Sequence, residues 1–103
     1  MRIIAVKTLK LFWEKEHLSE QPLKSWYEEV KNAEWDSPAV LKEQYRNASI
    51  ITGKRVVFNI HGNKFRLIVD IEYRLKLVFI IWLGNHEQYD QINAKEIEYV
   101  KND

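Results

Sequence analysis

The stretch RVVFNIHGNKFRLIVDI, residues 55–71, decides the fold of this chain. Apolar residues alternate with other side chains on both sides of the turn-like residues 61–63, a pattern typical of two antiparallel strands joined by a tight turn. The core positions of the second strand are its apolar odd-numbered residues, Phe65, Leu67, Val69 and Ile71. Lys64 and Arg66 then lie on the opposite face, because successive strand residues point to opposite sides. A half-buried strand therefore carries two neighbouring cations on its second face.

Further elements are predicted on both sides of this hairpin. Strands are expected over residues 2–6, 48–52 and 75–83. Helices are expected from Thr8 to about residue 20, from Pro22 to about residue 34, over 38–45 with Ser37 as N-cap, and over 94–100. The order predicts an α+β fold, in which an antiparallel sheet of three to five strands has N-terminal helices on one face and a partly open second face.

The composition is that of one cytoplasmic globular domain. The chain has 103 residues, so we assign residues 1–103 to a single domain. It has no cysteine, which excludes disulfides and thiolate metal sites. The N-terminus lacks the pattern of a signal peptide, and the longest apolar run, residues 77–83, is too short to span a bilayer as a helix. We expect a cytoplasmic protein with no membrane partner.

Charge is distributed unevenly along the chain although the formal net charge is only +1. Residues 14–36 hold seven acids and three bases, whereas residues 51–83 hold six bases and two acids. A basic half can bind a polyanion whatever the total charge. The alternative is that the acidic helix and the basic strands simply present solvated faces.

The candidate functional residues gather around the predicted third and fourth strands. Antiparallel pairing returns the end of the fourth strand to the start of the third, so His86 and Tyr89 are expected close to Lys64 and Arg66. Histidine can take and give protons near neutral pH, arginine grips phosphate oxygens, and tyrosine can stack on a base. These residue types suit metal-independent RNA cleavage, in which a ribose 2′-OH attacks the adjacent phosphate. No metal-ligand spacing is present, and no cofactor is expected.

Each candidate also has an ordinary structural interpretation. Lys64 and Arg66 suit a solvated strand face, and His61 suits an exposed turn. His86 beside a glycine can terminate a strand, and Tyr89 can belong to the core. From the residue pattern alone, the nuclease hypothesis and these interpretations both remain open.

Five blocks of the sequence resemble the HigB toxins of bacterial type II toxin–antitoxin modules. They are RIIAVKTLKLFWEK, QPLKSWYEEVKNAEW, LKEQYRNASI, RVVFNIHGNKFRLIVDIEYR and GNHEQYDQI, in order and nearly ungapped between Met1 and about Ile97. The resemblance implies a RelE-like fold and an mRNA interferase, an endoribonuclease that cuts messages in the ribosomal A site without metal. It also implies neutralisation by a HigA-type helix-turn-helix antitoxin, with operator DNA bound only through that antitoxin.

The resemblance also assigns roles to single residues. The family's G-x-(Y/F)-R-L strand matches Gly62 to Leu67, which gives Arg66 and Lys64 the phosphate-binding role. Its G-x-H-x-x-Y-D stretch matches residues 84–90, which makes His86 the candidate acid or base and Tyr89 a substrate contact. Expected additional RNA or ribosome contacts are Lys54, Arg55, His61, Arg74 and Lys76.

Two positions depart from the family pattern. The family usually has Lys where this chain has His61, and Arg or Lys where it has Ile81. Loss of two fixed cations from one sheet predicts weaker phosphate binding, and therefore an attenuated toxin. The alternatives to an active enzyme are a non-catalytic module that binds RNA or a protein with the same face, and a purely structural protein.

Overall fold

In the computed structural model, which describes residues 1–99, five strands form one sheet in the order β1-β5-β4-β3-β2. The strands are β1 (Arg2–Ile4), β2 (Ser49–Ile50), β3 (Arg55–Ile60), β4 (Phe65–Glu72) and β5 (Leu77–Asn85). The helices are α1 (Val6–Lys15), α2 (Glu20–Lys31), α3 (Pro38–Gln44) and α4 (His86–Tyr89). The predicted α+β class and the antiparallel run β2 to β5 are confirmed.

The sheet is mixed, which corrects the expectation of a purely antiparallel sheet. β1 pairs in parallel with β5, with Arg2 opposite Leu77 and Ile4 opposite Phe79. A parallel neighbour requires a long connection, and here the three N-terminal helices and strands β2 to β4 lie between β1 and β5 in the chain. The short apolar run of β1 predicts a strand, but it does not indicate whether that strand pairs in parallel or antiparallel.

The helices cover one sheet face, as predicted. Their apolar stripes meet the core residues of β3, β4 and β5, and aromatic edges form much of the contact. The ring centres of Phe12 and Phe65 lie 5.5 Å apart, and those of Trp26 and Phe58 lie 5.4 Å apart. α3 begins as predicted, because the Ser37 hydroxyl accepts a hydrogen bond from the Val40 amide and Pro38 follows it.

The second face is partly covered by the C-terminal segment rather than open. The predicted helix over 94–100 is wrong: residues 94–96 form a turn, residues 97–99 are irregular, and Val100 lies outside the described residues. The Arg55 guanidinium donates to the carbonyls of Ala94, Lys95 and Ile97. Because these carbonyls accept hydrogen bonds from Arg55, the segment lies against the sheet and does not form the backbone hydrogen bonds of a helix.

The β4–β5 connection also differs from the prediction. The turn comprises residues 73–76, so β5 begins at Leu77, two residues later than the strand predicted over 75–83, and Lys76 adopts a left-handed conformation with φ of 56°. Further along, Ile68 pairs with Trp82 and Val69 with Ile80, so Ile81 is the extra residue of a β-bulge. Among the described residues, no helix is sufficiently long and apolar to pass through a membrane.

Candidate functional site

The start of β4 and the end of β5 bring four of the predicted residues together. Arg66 pairs with Gly84 of β5, and the His86 amide donates to the Lys64 carbonyl at 3.1 Å. Tyr89 follows one helical turn after His86. We call Lys64, Arg66, His86 and Tyr89 the β4–β5 patch. The hairpin register predicted from sequence places them correctly.

Gly84 leaves room for the patch because it has no side chain. A Cβ atom at this position would clash with the Trp82 ring, which crosses directly over the glycine. The same indole packs beside Tyr89, with ring centres 6.3 Å apart. The indole and the glycine together form the surface next to Arg66. Any larger residue at position 84 would displace the Trp82 ring.

The short helix α4 holds His86 and Tyr89 in place through a capping box. The Asn85 side chain accepts from the Gln88 amide at 2.8 Å, and the Gln88 side chain accepts from the Asn85 amide at 2.8 Å. Reciprocal bonds of this kind satisfy the free amides of a helix start. Since α4 is only four residues long, this box is a large part of what orders it.

The Arg66 guanidinium is the centre of the patch. It donates to the Asn63 carbonyl at 2.9 Å, and its second terminal nitrogen lies 3.4 Å from His86 Nδ1. Its carbon lies 5.7 Å from the centre of the Tyr89 ring, within the range of a cation–π contact. One guanidinium therefore contacts both candidate residues of α4.

Asp90 also belongs to the site, although the family motif at residues 84–90 gave it no predicted role. Its carboxylate lies 3.5 Å from His86 Nε2, so the imidazole stands between a guanidinium and a carboxylate. Both contacts favour the tautomer with an unprotonated Nδ1 and a hydrogen on Nε2. The i, i+4 spacing of His86 and Asp90 in HEQYD is the sequence pattern that could have predicted this contact, because side chains four residues apart on a helix are neighbours.

Lys64 of the patch and His61, which lies at the same end of the sheet, both have exposed side chains. His61 occupies the β3–β4 turn with φ of 55°, and its ring is roughly parallel to that of Phe65 at 6.5 Å. Neither residue forms an ion pair within residues 1–99. They add positive charge, or for His61 a titratable group, beside Arg66.

The other predicted contacts lie away from the patch. Lys54, Arg55, Arg74 and Lys76 belong to the opposite end of the strands, and β4 alone, with eight residues, is roughly 25 Å long. Arg55 is buried and forms a two-pronged ion pair with Asp70 at 2.7 and 2.9 Å. These hydrogen bonds raise the pKa of Arg55 above its usual value. Arg55 is therefore a structural residue, which corrects its assignment as an RNA contact.

Lys76 is likewise committed to the fold. Its ammonium group donates to the Trp35 carbonyl at 3.0 Å and pairs with the Asp36 carboxylate. Lys54 and Arg74 are exposed, but they do not share a surface with Arg66. Within residues 1–99, no group of three or more potential metal ligands comes together.

A family model described as HigB_toxin, RelE-like toxic component of a toxin–antitoxin system, matches residues 19–92. The match includes α2, α3, the whole antiparallel meander and the β4–β5 patch. A search of curated proteins found no match.

Proposed function

The chain belongs to the HigB toxin family, the RelE-like toxic components of toxin–antitoxin systems, and from this premise we propose that it is a ribosome-dependent mRNA interferase. The proposal is carried by one observation, the Arg66 guanidinium 3.4 Å from the His86 imidazole on an exposed sheet end. A phosphate binder beside a proton-transfer group is the minimum that RNA cleavage requires.

The reaction we propose needs no metal. The 2′-oxygen of a ribose attacks the adjacent phosphorus, the bond from phosphorus to the 5′-oxygen breaks, and a 2′,3′-cyclic phosphate forms. One proton leaves the 2′-OH and one is added to the departing 5′-oxygen. The chemistry is therefore proton transfer combined with stabilisation of charge on phosphorus.

Each patch residue has a role in this scheme. Arg66 binds the scissile phosphate through its planar fork, and Lys64 adds an exposed positive charge beside it. His86 transfers the proton, and Asp90 orients its ring. Tyr89 positions the RNA by stacking or by a hydrogen bond from its hydroxyl.

The dependence on the ribosome follows from what the patch contains. Among the described residues, His86 is the single imidazole in contact with Arg66. A site with few catalytic groups gains most from a substrate that is already oriented, and the A site orients mRNA. Membership of a toxin–antitoxin family also implies an antitoxin partner. We infer that this partner is of the HigA type, acts in the cytoplasm and joins the toxin to operator DNA.

A second candidate is a weakened or non-catalytic RNA-binding module. It is favoured by the lack of a fixed cation at positions 61 and 81. It is favoured also by the burial of Arg55, which leaves the sheet with fewer free positive charges than the sequence suggested. Ile81 lies in the β5 bulge, where it lines a cavity with Thr8 of α1 and Ile97 of the C-terminal segment.

The two candidates are distinguished by induced expression in bacteria and by cleavage of ribosome-bound mRNA in vitro. For the interferase we expect growth arrest and cut messages with the wild type. Arg66→Ala should relieve both effects, and His86→Ala should bind ribosomes normally but cut at least a hundredfold more slowly. The matched control is Arg2→Ala, an exposed arginine on the edge strand β1 with no predicted role in the site, which should remain toxic.

Intact messages with retained ribosome binding would instead support the binding module. In that case, His61→Lys combined with Ile81→Arg tests whether the missing cations are the reason. Cleavage gained by the double variant would identify an attenuated enzyme, whereas continued inactivity would exclude catalysis.

A further inference from the structure

A cavity of about 420 Å³ lies at the sheet edge next to the β4–β5 patch. It is bounded by the loop after α3, the end of β3 and the β3–β4 turn. β2 pairs only with Val56 and Val57 of β3, so the cavity occupies the place beside Phe58 and Asn59 where a longer strand would lie. Its volume lies within the range of small-ligand pockets, about 300–1,000 Å³.

Amide and guanidinium groups dominate the lining of this cavity, and none of its lining residues in the described chain is acidic. Besides Tyr45, the polar residues that line the cavity are Gln44, Arg46, Asn47, Asn59 and Asn63. The oxygen of the Gln44 amide accepts from the Trp35 indole, and the nitrogen of the Asn59 amide contacts the Asn47 carbonyl at 3.5 Å. Within residues 1–99, the opposite ends of both amides and the Arg46 guanidinium have no protein partner.

The loop that forms one wall is held in a fixed shape. The Lys42 ammonium group donates to the carbonyls of Arg46 and Ala48 at 2.6 and 2.7 Å. These two hydrogen bonds tie the loop to the end of α3. Beneath it, Tyr45 packs edge-on against Phe58, with ring centres 5.0 Å apart. Because the loop is held by hydrogen bonds and packs on an aromatic base, binding in this cavity requires little ordering of the chain and therefore costs little conformational entropy.

The cavity and the patch share a wall. Asn59 lines the cavity and pairs directly with Arg66 across the β3–β4 ladder. Asn63 lines the cavity as well, and its carbonyl accepts the hydrogen bond from Arg66. Adjacent strands are about 4.8 Å apart, and the cavity lies beyond β3 as seen from β4, so a ligand there is two strand spacings, roughly 10 Å, from a phosphate on Arg66.

We propose that this cavity is a base-recognition subsite, which holds one unpaired nucleobase of the RNA whose phosphate Arg66 binds. Amides present a donor and an acceptor together, which matches the hydrogen-bonding edge of a base, and Arg46 adds donors for base or phosphate oxygens. The inference rests on the proposed function and extends it, because it gives the toxin a source of sequence preference within its own chain.

The test is a titration of the intact, isotope-labelled chain with four 2′-O-methylated trinucleotides, AAA, CCC, GGG and UUU, followed by NMR. Methylation removes the attacking hydroxyl, so binding is measured without cleavage. The test variant is Asn47→Ala combined with Asn59→Ala. The matched control is Gln21→Ala, an exposed amide on α2.

We expect one trinucleotide to bind about tenfold more tightly than the others, with shifts in the side-chain amides of the cavity. The double variant should lose this preference and the control should keep it, while thermal unfolding shows both to be folded. Equal binding of all four trinucleotides to the wild type, or a preference that survives in the double variant, overturns the subsite.

The outcome is separable from that of the proposed nuclease. Preferential binding without cleavage on ribosomes would contradict the nuclease and leave the subsite standing. Cleavage on ribosomes with no preference among the four trinucleotides would leave the nuclease standing and contradict the subsite.

Discussion

Two arginines of neighbouring strands differ in their contacts because different residues lie opposite them. Arg66 faces Gly84 and Asn59, which bring no charge, so its guanidinium keeps donors for a ligand. Arg55 faces Asp70, and the pair together with three carbonyls uses its nitrogens. At the scale of one residue, the cross-strand partner decides whether the donors of an arginine are used within the fold or stay free for a ligand.

Asp70→Asn should lower the free energy of unfolding by about 3 kcal/mol, because it leaves the buried Arg55 charge without its partner. Urea unfolding monitored by tryptophan fluorescence measures the loss. Glu72→Gln, an exposed carboxylate two residues away on β4, is the control and should change stability little. Equal stability of both variants would contradict a structural role for the ion pair.

The buried hydroxyl of Tyr45 should lower the free energy of unfolding at alkaline pH. Burial raises the pKa of Tyr45 above its ordinary value of 10.0, and the nearby Glu29 charge adds to the effect. Because the folded pKa exceeds the unfolded one, the contribution is constant below pH 10 and is lost as the pH rises further, when the unfolded chain releases the proton first. The slope is up to about 1.4 kcal/mol per pH unit.

Tyr45→Phe should therefore flatten the dependence of unfolding free energy on pH above 10, as measured by urea titrations at successive pH values. The exposed Tyr99 supplies the matched control, Tyr99→Phe, which should leave the curve as in the wild type. Parallel curves for all three proteins would show that burial of the Tyr45 hydroxyl has no such effect.

At the scale of elements, the patch depends on a helix of four residues. Helices of this length are not stable alone, and α4 is ordered by its capping box and by contacts of Trp82 with Tyr89. β5 delivers α4 to Arg66 because its register with β4 ends at the pair of Phe65 and Asn85. The position of the proposed catalytic histidine therefore depends on where β5 ends and on the capping box that begins α4.

Asn85→Ala should cost about 1 kcal/mol of stability and slow cleavage roughly fivefold, since the lost cap disorders His86 and Tyr89. Thermal unfolding and ribosome-dependent cleavage are measured together. The control is Ser37→Ala, which removes the cap of α3 and should cost similar stability without slowing cleavage. A rate loss of the same size in both variants would mean that general destabilisation is responsible.

At the scale of the whole molecule, the two faces of one sheet are covered differently. The helices bury the first face in an aromatic core in which Phe58 contacts Trp26, Trp35 and Tyr45. The C-terminal segment covers part of the second face through Arg55, which leaves the end that carries Arg66 accessible. A small domain thus keeps a rigid core close to an exposed site.

Phe58→Ala should remove about 3–5 kcal/mol of unfolding free energy, a large part of the total stability of a domain of this size. Calorimetry measures the fall in Tm. Ile50→Ala, on the exposed edge strand β2, is the control and should change Tm by much less. A fall of similar size in both variants would contradict the central position of Phe58.

The sequence by itself determined the features that depend on local pattern. Alternation over residues 55–71 specified the hairpin, Ser37 and Pro38 specified the start of α3, and the antiparallel register placed His86 beside Arg66. Each of these follows from the chain direction and from side chains close in sequence. The family resemblance from sequence was likewise confirmed by the match over residues 19–92.

Only the tertiary structure decided which distant groups meet. It gave β1 its parallel direction, paired Arg55 with Asp70, and replaced the predicted C-terminal helix with a segment held by that arginine. It also added Asp90 to the site and formed the amide-lined cavity. The physical reason is that charges and carbonyls far apart along the chain choose partners by proximity in space, which no local period encodes.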